Sequence, residues 1–294
     1  MTYTIETAEK QSIDIDDYVD YIASSVDITD SDSVLASAGA LRALANNRSF
    51  LTRRVNEELA DWATFQQQNR YTAQILTLAV RDGFLVRANI WAPPTGGREW
   101  EQDLLSYEVP HDHNFSFLTV GYLGSGYRTK IWEYDPGRVT GYPGERVDLT
   151  FLEHTSLPVG KVMYYRASRD VHSQEHPSEL SVSLNLMLNG PEAMWGSQYF
   201  FDTEASTITS FTQNPTGRRA MLCDLAGWVG DGRTVNLLED LAEEHPAPSG
   251  GDQPRKLGTV AILGRTQQPE GGAERLGQLD PAAHVLAGEG PRRL

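Results

Sequence analysis

The chain has 294 residues, 39% hydrophobic and 22% charged, a composition that suits a globular protein able to bury a substantial core. A formal net charge of −15 and a pI near 4.8 set its surface against phosphate backbones and anionic lipid, so neither nucleic acid nor membrane is expected as a partner. Cys223 is the only cysteine, which excludes an internal disulfide and a CxxC motif. No basic-then-apolar leader and no apolar run near the ~20 residues of a membrane span is present, so a cytoplasmic location is expected.

Residues 1–70 read as helical. Tyr18, Val19, Tyr21 and Ile22 are set among acids between Asp14 and Ser24. Asp30 or Ser31 is placed to cap a helix running through Val34, Leu35, Leu41 and Leu44 to Asn46-Asn47, since a short polar side chain accepts from the unpaired N–H groups of a first turn. Phe50, Leu51, Val55, Leu59, Trp62 and Phe65 recur at three- and four-residue spacing and predict an amphipathic helix ending near Asn69. No chemistry is visible here; the segment is expected to pack on the β-rich residues C-terminal to it.

From 71 to 213 the pattern changes to short β-rich runs between turn residues. Strands are predicted at 75–80 and 84–91, flanking an Arg81-Asp82-Gly83 hairpin turn, and then at 115–122, 127–134, 146–152, 162–166, 180–188, 198–201 and 206–211. Nine strands without intervening helices predict an antiparallel barrel or double-sheet jelly roll. Residues 214–245 carry two helical patterns, at 218–229 and 233–244. Residues 246–294, rich in Gly, Pro, Gln and charge, read as a flexible tail in which Val260-Ala261-Ile262-Leu263 is the run expected to dock.

Chemistry is concentrated in three histidines. His111 and His113 lie at i, i+2 in Pro110-His111-Asp112-His113-Asn114, and alternation on an extended segment sends both imidazoles to one side. His172 stands further along, in Arg169-Asp170-Val171-His172-Ser173. Brought in from its own strand, it completes a facial three-nitrogen set that leaves positions open on a metal. The alternative is three histidines with no common partner.

A strand-rich middle holding HxH and a later histidine resembles the cupin superfamily, small double-stranded β-helix (jelly-roll) barrels with a metal in the mouth. The general cupin glutamate is missing, since Asn114, Phe115, Ser116, Phe117 and Leu118 come after His113, and this points to the three-histidine branch typified by cysteine dioxygenase-like enzymes. Ile90-Trp91-Ala92-Pro93, Leu123-Gly124, Val162-Met163-Tyr164-Tyr165, His172-Ser173-Gln174-Glu175, Ser181–Leu186 and Tyr199-Phe200-Phe201-Asp202 are similar to segments of those enzymes, over about residues 71–212. The resemblance implies an all-β cupin core with N- and C-terminal helices, Fe(II) on His111, His113 and His172, dioxygen and a small polar metabolite (an amino acid or derivative) as reactants, and a homodimer.

The departures count against a thiol substrate. Where thiol dioxygenases offer Ser, His and Tyr after the third ligand, this chain has Ser183, Asn185 and Met187. Leu118 stands for the crosslinking cysteine, and the carboxylate-gripping arginine falls near Ala73 or Gln74, with Arg70 close by.

Alternation on the 84–91 strand puts Leu85, Arg87, Asn89 and Trp91 on one face. If that face lines the cavity, Arg87 can fork onto a substrate carboxylate beside Asn89 and Trp91; otherwise it is a solvent-exposed arginine. Tyr164 and Asn185, flanking the third ligand, are the candidates to hydrogen-bond substrate or oxygen. Trp132 and Tyr134 are expected in the core, His154 and His176 in loops, and Glu175 in a structural role. Three histidines also hold zinc or nickel, so an isomerase or lyase, or a metal-retaining binding protein, is the competing reading.

Overall fold

The computed structural model describes residues 3–67, 69, 71–94, 107–190, 196–213 and 215–244. The chain divides into two compact units, with the division between Met221 and Leu222. The tail 246–294, its 260–263 run, and Arg70 lie outside the described residues.

Four helices lead the first unit. The Asp14 carboxylate caps α1 (Ile15–Ser25) by accepting from its own first N–H, and Asp30 caps α2 (Ser31–Ala36). The single helix expected through Leu44 is two, because Ser37 ends the first: its N–H and hydroxyl both donate back to the Val34 carbonyl, and α3 (Ala38–Asn46) starts afresh. α4 (Phe50–Ala60) gives way to a 3-10 turn at Trp62–Thr64, and Gln66 then takes a φ of 46°, which ends the helix before Asn69.

The core is β. A six-stranded antiparallel sheet has the order β1 (Tyr3–Ile5), β7 (Val162–Tyr165), β4 (Phe117–Leu123), β9 (Ser181–Leu188), β3 (Phe84–Trp91), β2 (Ile75–Arg81). β1 was not expected within a segment read as all-helical. Between β2 and β3 the expected hairpin forms, with Gly83 at φ 82°, a conformation costly for any residue with a Cβ. Facing this sheet are β6 (Thr150–Ser156), β5 (Arg128–Glu133) and β8 (Asp170–Glu175), with the ribbon β10 (Gln198–Asp202) and β11 (Thr207–Gln213). His111 ties the two groups together, bridging His172 of β8 on one side and Phe200 of β10 on the other.

Both faces of the large sheet are covered at β9, whose eight residues are all buried although Ser181, Ser183 and Asn185 alternate with Val182, Leu184 and Leu186. Its outer face (Val86, Leu118, Val120, Val162, Leu184 and Leu186) packs under Tyr18, Ile22, Leu41, Leu44 and Phe50 of the helices. Helices α1 to α4 thus cover one face of the sheet within the same unit, and β1 extends its edge. The inner face contributes Leu85, Trp91, Phe117, Met163, Tyr165 and Met187 to a second cluster with Tyr127, Ile131 and Leu157. Each such side chain adds roughly 1.5–3 kcal/mol on full burial.

Two strands differ from expectation. The 146–152 strand is found at Thr150–Ser156, while Arg146 makes only an isolated bridge to Thr207, so His154 is on a strand. β8 is the strand expected to carry His172, but it was given no bounds because Asp-Val-His-Ser-Gln-Glu is polar, although five of its six residues are buried. α5 (Pro215–Val229) crosses into the second unit, where Asp231 caps α6 (Gly232–Glu244) by accepting from Arg233 and Thr234 N–H at 3.0 Å. The first unit is an all-β core of double-stranded β-helix type, with helices packed on one sheet.

Candidate metal centre

The backbone brings the histidines together. His111 donates to the His172 carbonyl (3.0 Å) and His172 donates back to the His111 carbonyl (2.9 Å), a reciprocal antiparallel pair that sets their side chains next to each other. His113, two residues on, faces the same way. Ring centroids lie 4.6 Å apart for His111–His172, 4.9 Å for His111–His113 and 5.0 Å for His113–His172. One nitrogen from each ring falls within 4.8 Å of the others.

Asp112 points the opposite way. One oxygen accepts from the Tyr134 hydroxyl and the other from the Tyr199 N–H, both at 2.7 Å, so the carboxylate pins the HxH segment to β10 and to the residue just after β5. Burial pushes its carboxyl up to about 6, against the pull of the Tyr134 hydrogen bond.

All three imidazoles are kept neutral. Burial lowers His111 below the ordinary histidine range; His113 and His172 fall well below it through burial and then the neighbouring imidazoles and Arg87. Neutral rings are what a cation requires as ligands. His111 Nδ1 donates to the Val109 carbonyl at 2.8 Å, which leaves Nε2 with its lone pair. That Nε2 lies 3.2 Å from His172 Nε2, while His172 Nδ1 is buried without a partner.

Two nitrogens each about 2.0–2.1 Å from one ion, at an angle between octahedral and tetrahedral, are roughly 2.9–3.4 Å apart. The 3.2 Å separation fits one edge of a coordination polyhedron; without a cation it is spanned by a hydrogen bond between the two rings. The residues fit a metal. His113 closes the third corner after a small adjustment; its Nδ1 is held 2.6 Å from the Gln198 amide nitrogen, which also donates to the Asp112 carbonyl at 3.3 Å. Phe115 stacks on His113, and Tyr165 meets the His172 ring edge-on at 4.8 Å.

The histidines open on a cavity of about 590 Å³ that is also lined by Arg87, Asn89, Trp91 and Asn185. Register explains this: Arg87 of β3, Asn185 of β9 and Thr119 of β4 are aligned across the sheet, and the Thr119 hydroxyl donates to Asn185 Oδ1 at 2.6 Å. Arg87 is not solvent-exposed; burial lowers it to about 10, and its guanidinium sits 5.0 Å above the Tyr71 ring. The Trp91 indole N–H is committed to Ser183 Oγ at 3.0 Å, so Trp91 serves the cavity as an apolar wall.

Tyr164 is the expected site residue that the fold sends elsewhere. One position out of phase with Tyr165, it points through the other face of β7 into the helix-side core, with its hydroxyl 3.4 Å from Ser31 Oγ. Gln198, Asp112, Tyr71 and Phe200 were missed as site-forming residues, since only tertiary pairing of β10 places Gln198 and Phe200 beside the HxH. Trp132 and Tyr134 are in a third apolar cluster, as expected. His154 Nε2 lies 3.0 Å from a Glu175 carboxylate oxygen on the far side of β8, and His176 is half-buried, its ring 3.7 Å from that of Tyr107.

No family model matches the chain, and no curated protein matches it. Among solved structures it is similar to DMSP lyases, in a structure covering RdDddP and RnDddQII (13% identity, 40% of this chain and 44% of that one, TM-score 0.25). It is also similar to hydroquinone 1,2-dioxygenase from Sphingomonas sp. TTNP3 with 4-hydroxybenzoate bound (6%, 43% and 72%, 0.28). A third is a Klebsiella pneumoniae protein with a double-stranded β-helix domain (6%, 46% and 90%, 0.25). The matched part spans less than half the length of the lyase chain. Scores and identities this low assign no activity, and the fold rests on the sheet order and register given above. What the chain's own geometry establishes is a candidate three-histidine metal centre inside a double-sheet β core.

Proposed function

We propose that this protein is a mononuclear non-haem iron oxygenase of cupin type, acting with dioxygen on a small polar metabolite, an amino acid or derivative. The observation that carries the reading is the meeting of three neutral imidazoles, from segments about sixty residues apart, at the wall of a cavity that also presents polar side chains. His111, His113 and His172 hold Fe(II), and three facial nitrogens leave room for a chelating substrate. Bound iron supplies the redox chemistry with dioxygen.

The chain's own groups do the rest. Arg87 and Asn89 bind and orient the substrate, and Trp91, Phe115 and Phe200 exclude water from it. Asn185, its oxygen occupied by Thr119, offers its amide nitrogen as a donor to a cavity ligand. Tyr164 has no part in this chemistry. The same reading takes the protein as a cytoplasmic homodimer; no helix among the described residues is long and apolar enough to cross a membrane.

Three imidazoles bind zinc and nickel as well as iron, so a metal-dependent isomerase or lyase, or a binding protein without turnover, is the second reading. Metal analysis of anaerobically purified protein, followed by oxygen uptake over a panel of amino acids and other polar acids, separates them. Stoichiometric iron with substrate-dependent oxygen consumption is expected; zinc or nickel with oxygen-independent turnover overturns the oxygenase. His172→Ala is expected to lose the metal while keeping its β-sheet circular dichroism, and full occupancy in that variant rejects the ligand set.

A further inference from the structure

We infer that the cavity takes a small organic anion, a carboxylate that also carries a neutral hydrogen-bond donor such as a hydroxyl, and that Arg87 is its counter-charge. This rests on the proposed site and names the substrate class. Arg87 is 8% exposed, its Nε is buried with no hydrogen-bond partner, and among the described residues no carboxylate pairs with it. The Tyr71 ring beneath the guanidinium supplies no hydrogen-bond acceptor, a buried cation without a counter-anion is costly, and a fork of N–H donors matches a carboxylate.

Among the described residues the lining offers no carboxylate free to pair with Arg87. Asp112 is its one acid among the described residues, and both of its oxygens are engaged, by Tyr134 and the Tyr199 N–H. Arg87 lines the same cavity as the three histidines, so the guanidinium and a bound metal would face one space. Two cations facing one cavity repel unless an anion sits between them. A free ammonium would add a third positive charge with no acid aimed at it among the described residues, so within the amino acids and derivatives of the proposed reading it is the derivatives whose amine is replaced by a hydroxyl that fit best.

Asn89 supplies the second half of the recognition. It is two residues along the same face of β3, about 6.6–7 Å from Arg87 in backbone rise, and its Oδ1 is buried without a donor. A hydroxyl near the carboxylate satisfies it.

Calorimetric titration of the full chain, both metal-free and loaded with redox-inert Zn²⁺, tests this with lactate and mandelate, their neutral amides, and cationic alaninamide. At least one hydroxy acid is expected to bind tenfold or more tighter than its amide and than alaninamide in both forms. Arg87→Met should abolish that preference, and Asn89→Leu should weaken the hydroxy acids while leaving acetate unchanged. Equal binding of acid and amide, no binding of either acid in either form, or an unaltered preference in a folded Arg87→Met protein overturns the inference. If Arg87→Met does not fold, the ligand series on the unaltered chain decides. An acid preference without iron or oxygen uptake refutes the oxygenase and leaves the anion site standing.

Discussion

Gln198 is the residue on which metal affinity is expected to turn, although it ligates nothing. It is 9% exposed, with its amide nitrogen 2.6 Å from His113 Nδ1 and 3.3 Å from the Asp112 carbonyl. A ligating histidine needs its other nitrogen protonated and accepted by a partner. His111 has one in the Val109 carbonyl, out of reach of any side-chain substitution, and His172 has none. A half-turn of the Gln198 amide presents Oε1 to His113 Nδ1–H and frees Nε2 for the cation.

Gln198→Leu keeps the volume and removes the partner. Loss of such a supporting contact typically costs tenfold to a hundredfold in metal affinity, or about 1.4–2.8 kcal/mol. Gln198→Glu places a carboxylate at the same nitrogen and should bind at least as tightly as the unaltered protein. Competition for Zn²⁺ against a chromophoric chelator at pH 7.5 reads both. A folded Gln198→Leu protein whose Kd stays within twofold refutes the reasoning, because His113 would then be oriented by packing against Phe115 and Phe117 alone.

The metal-free protein should gain stability as pH rises toward neutrality. The three imidazoles are held below the ordinary histidine value of 6.5, so between their folded values and 6.5 the unfolded chain binds more protons, and stability climbs through that window before levelling off. Asp112, raised from 3.8 to about 6, works in the opposite sense, but it is one group against three. Urea midpoints at pH 5, 6 and 7.5 should therefore increase, and a flat or falling series contradicts the assignment of neutral buried rings. Tyr164→Phe removes only a hydroxyl facing Ser31 on the helix side, so metal affinity should not change and stability should drop by no more than about 1 kcal/mol; a tenfold loss of metal affinity would restore Tyr164 to the site. Gly121→Ala drives a methyl into the Leu157 and Pro158 carbonyls, which are backbone and yield little. Roughly 1–3 kcal/mol of destabilisation is expected in chemical denaturation, and a neutral result would mean that the 157–160 turn moves freely.

Local pattern carried the elements with strong periodicity or strong punctuation. β2, β3, β4 and β9 are runs of β-forming residues bounded by turn residues, and the Asp82-Gly83 hairpin and the Asp30 cap come from the chemistry of single residues. Two-residue alternation was enough to put His111 with His113 on one side and Arg87 with Asn89 and Trp91 on one face. It was not enough at β8, whose polar sequence is buried because it lies between β5 and the His111 segment, nor at β1, whose three residues are a strand only because β7 offers an edge.

Which face of a strand meets the cavity depends on what covers the other face, and that is a long-range matter. The helices of residues 15–60 cover one side of the six-stranded sheet, so Tyr164 turns to them and Tyr165 to the histidines, a choice no local pattern contains. Likewise, residue order along the chain made three imidazoles available at the right alternation. Their meeting is the work of the fold, through the reciprocal hydrogen bonds between His111 and His172 and the pairing of β10 beside them. The same pairing lets Gln198 support one imidazole, while the β3–β9 register opens Arg87 on the same cavity without a carboxylate of its own among the described residues. Hydrogen-bonded register across distant strands sets those neighbours, and register is a property of the whole sheet.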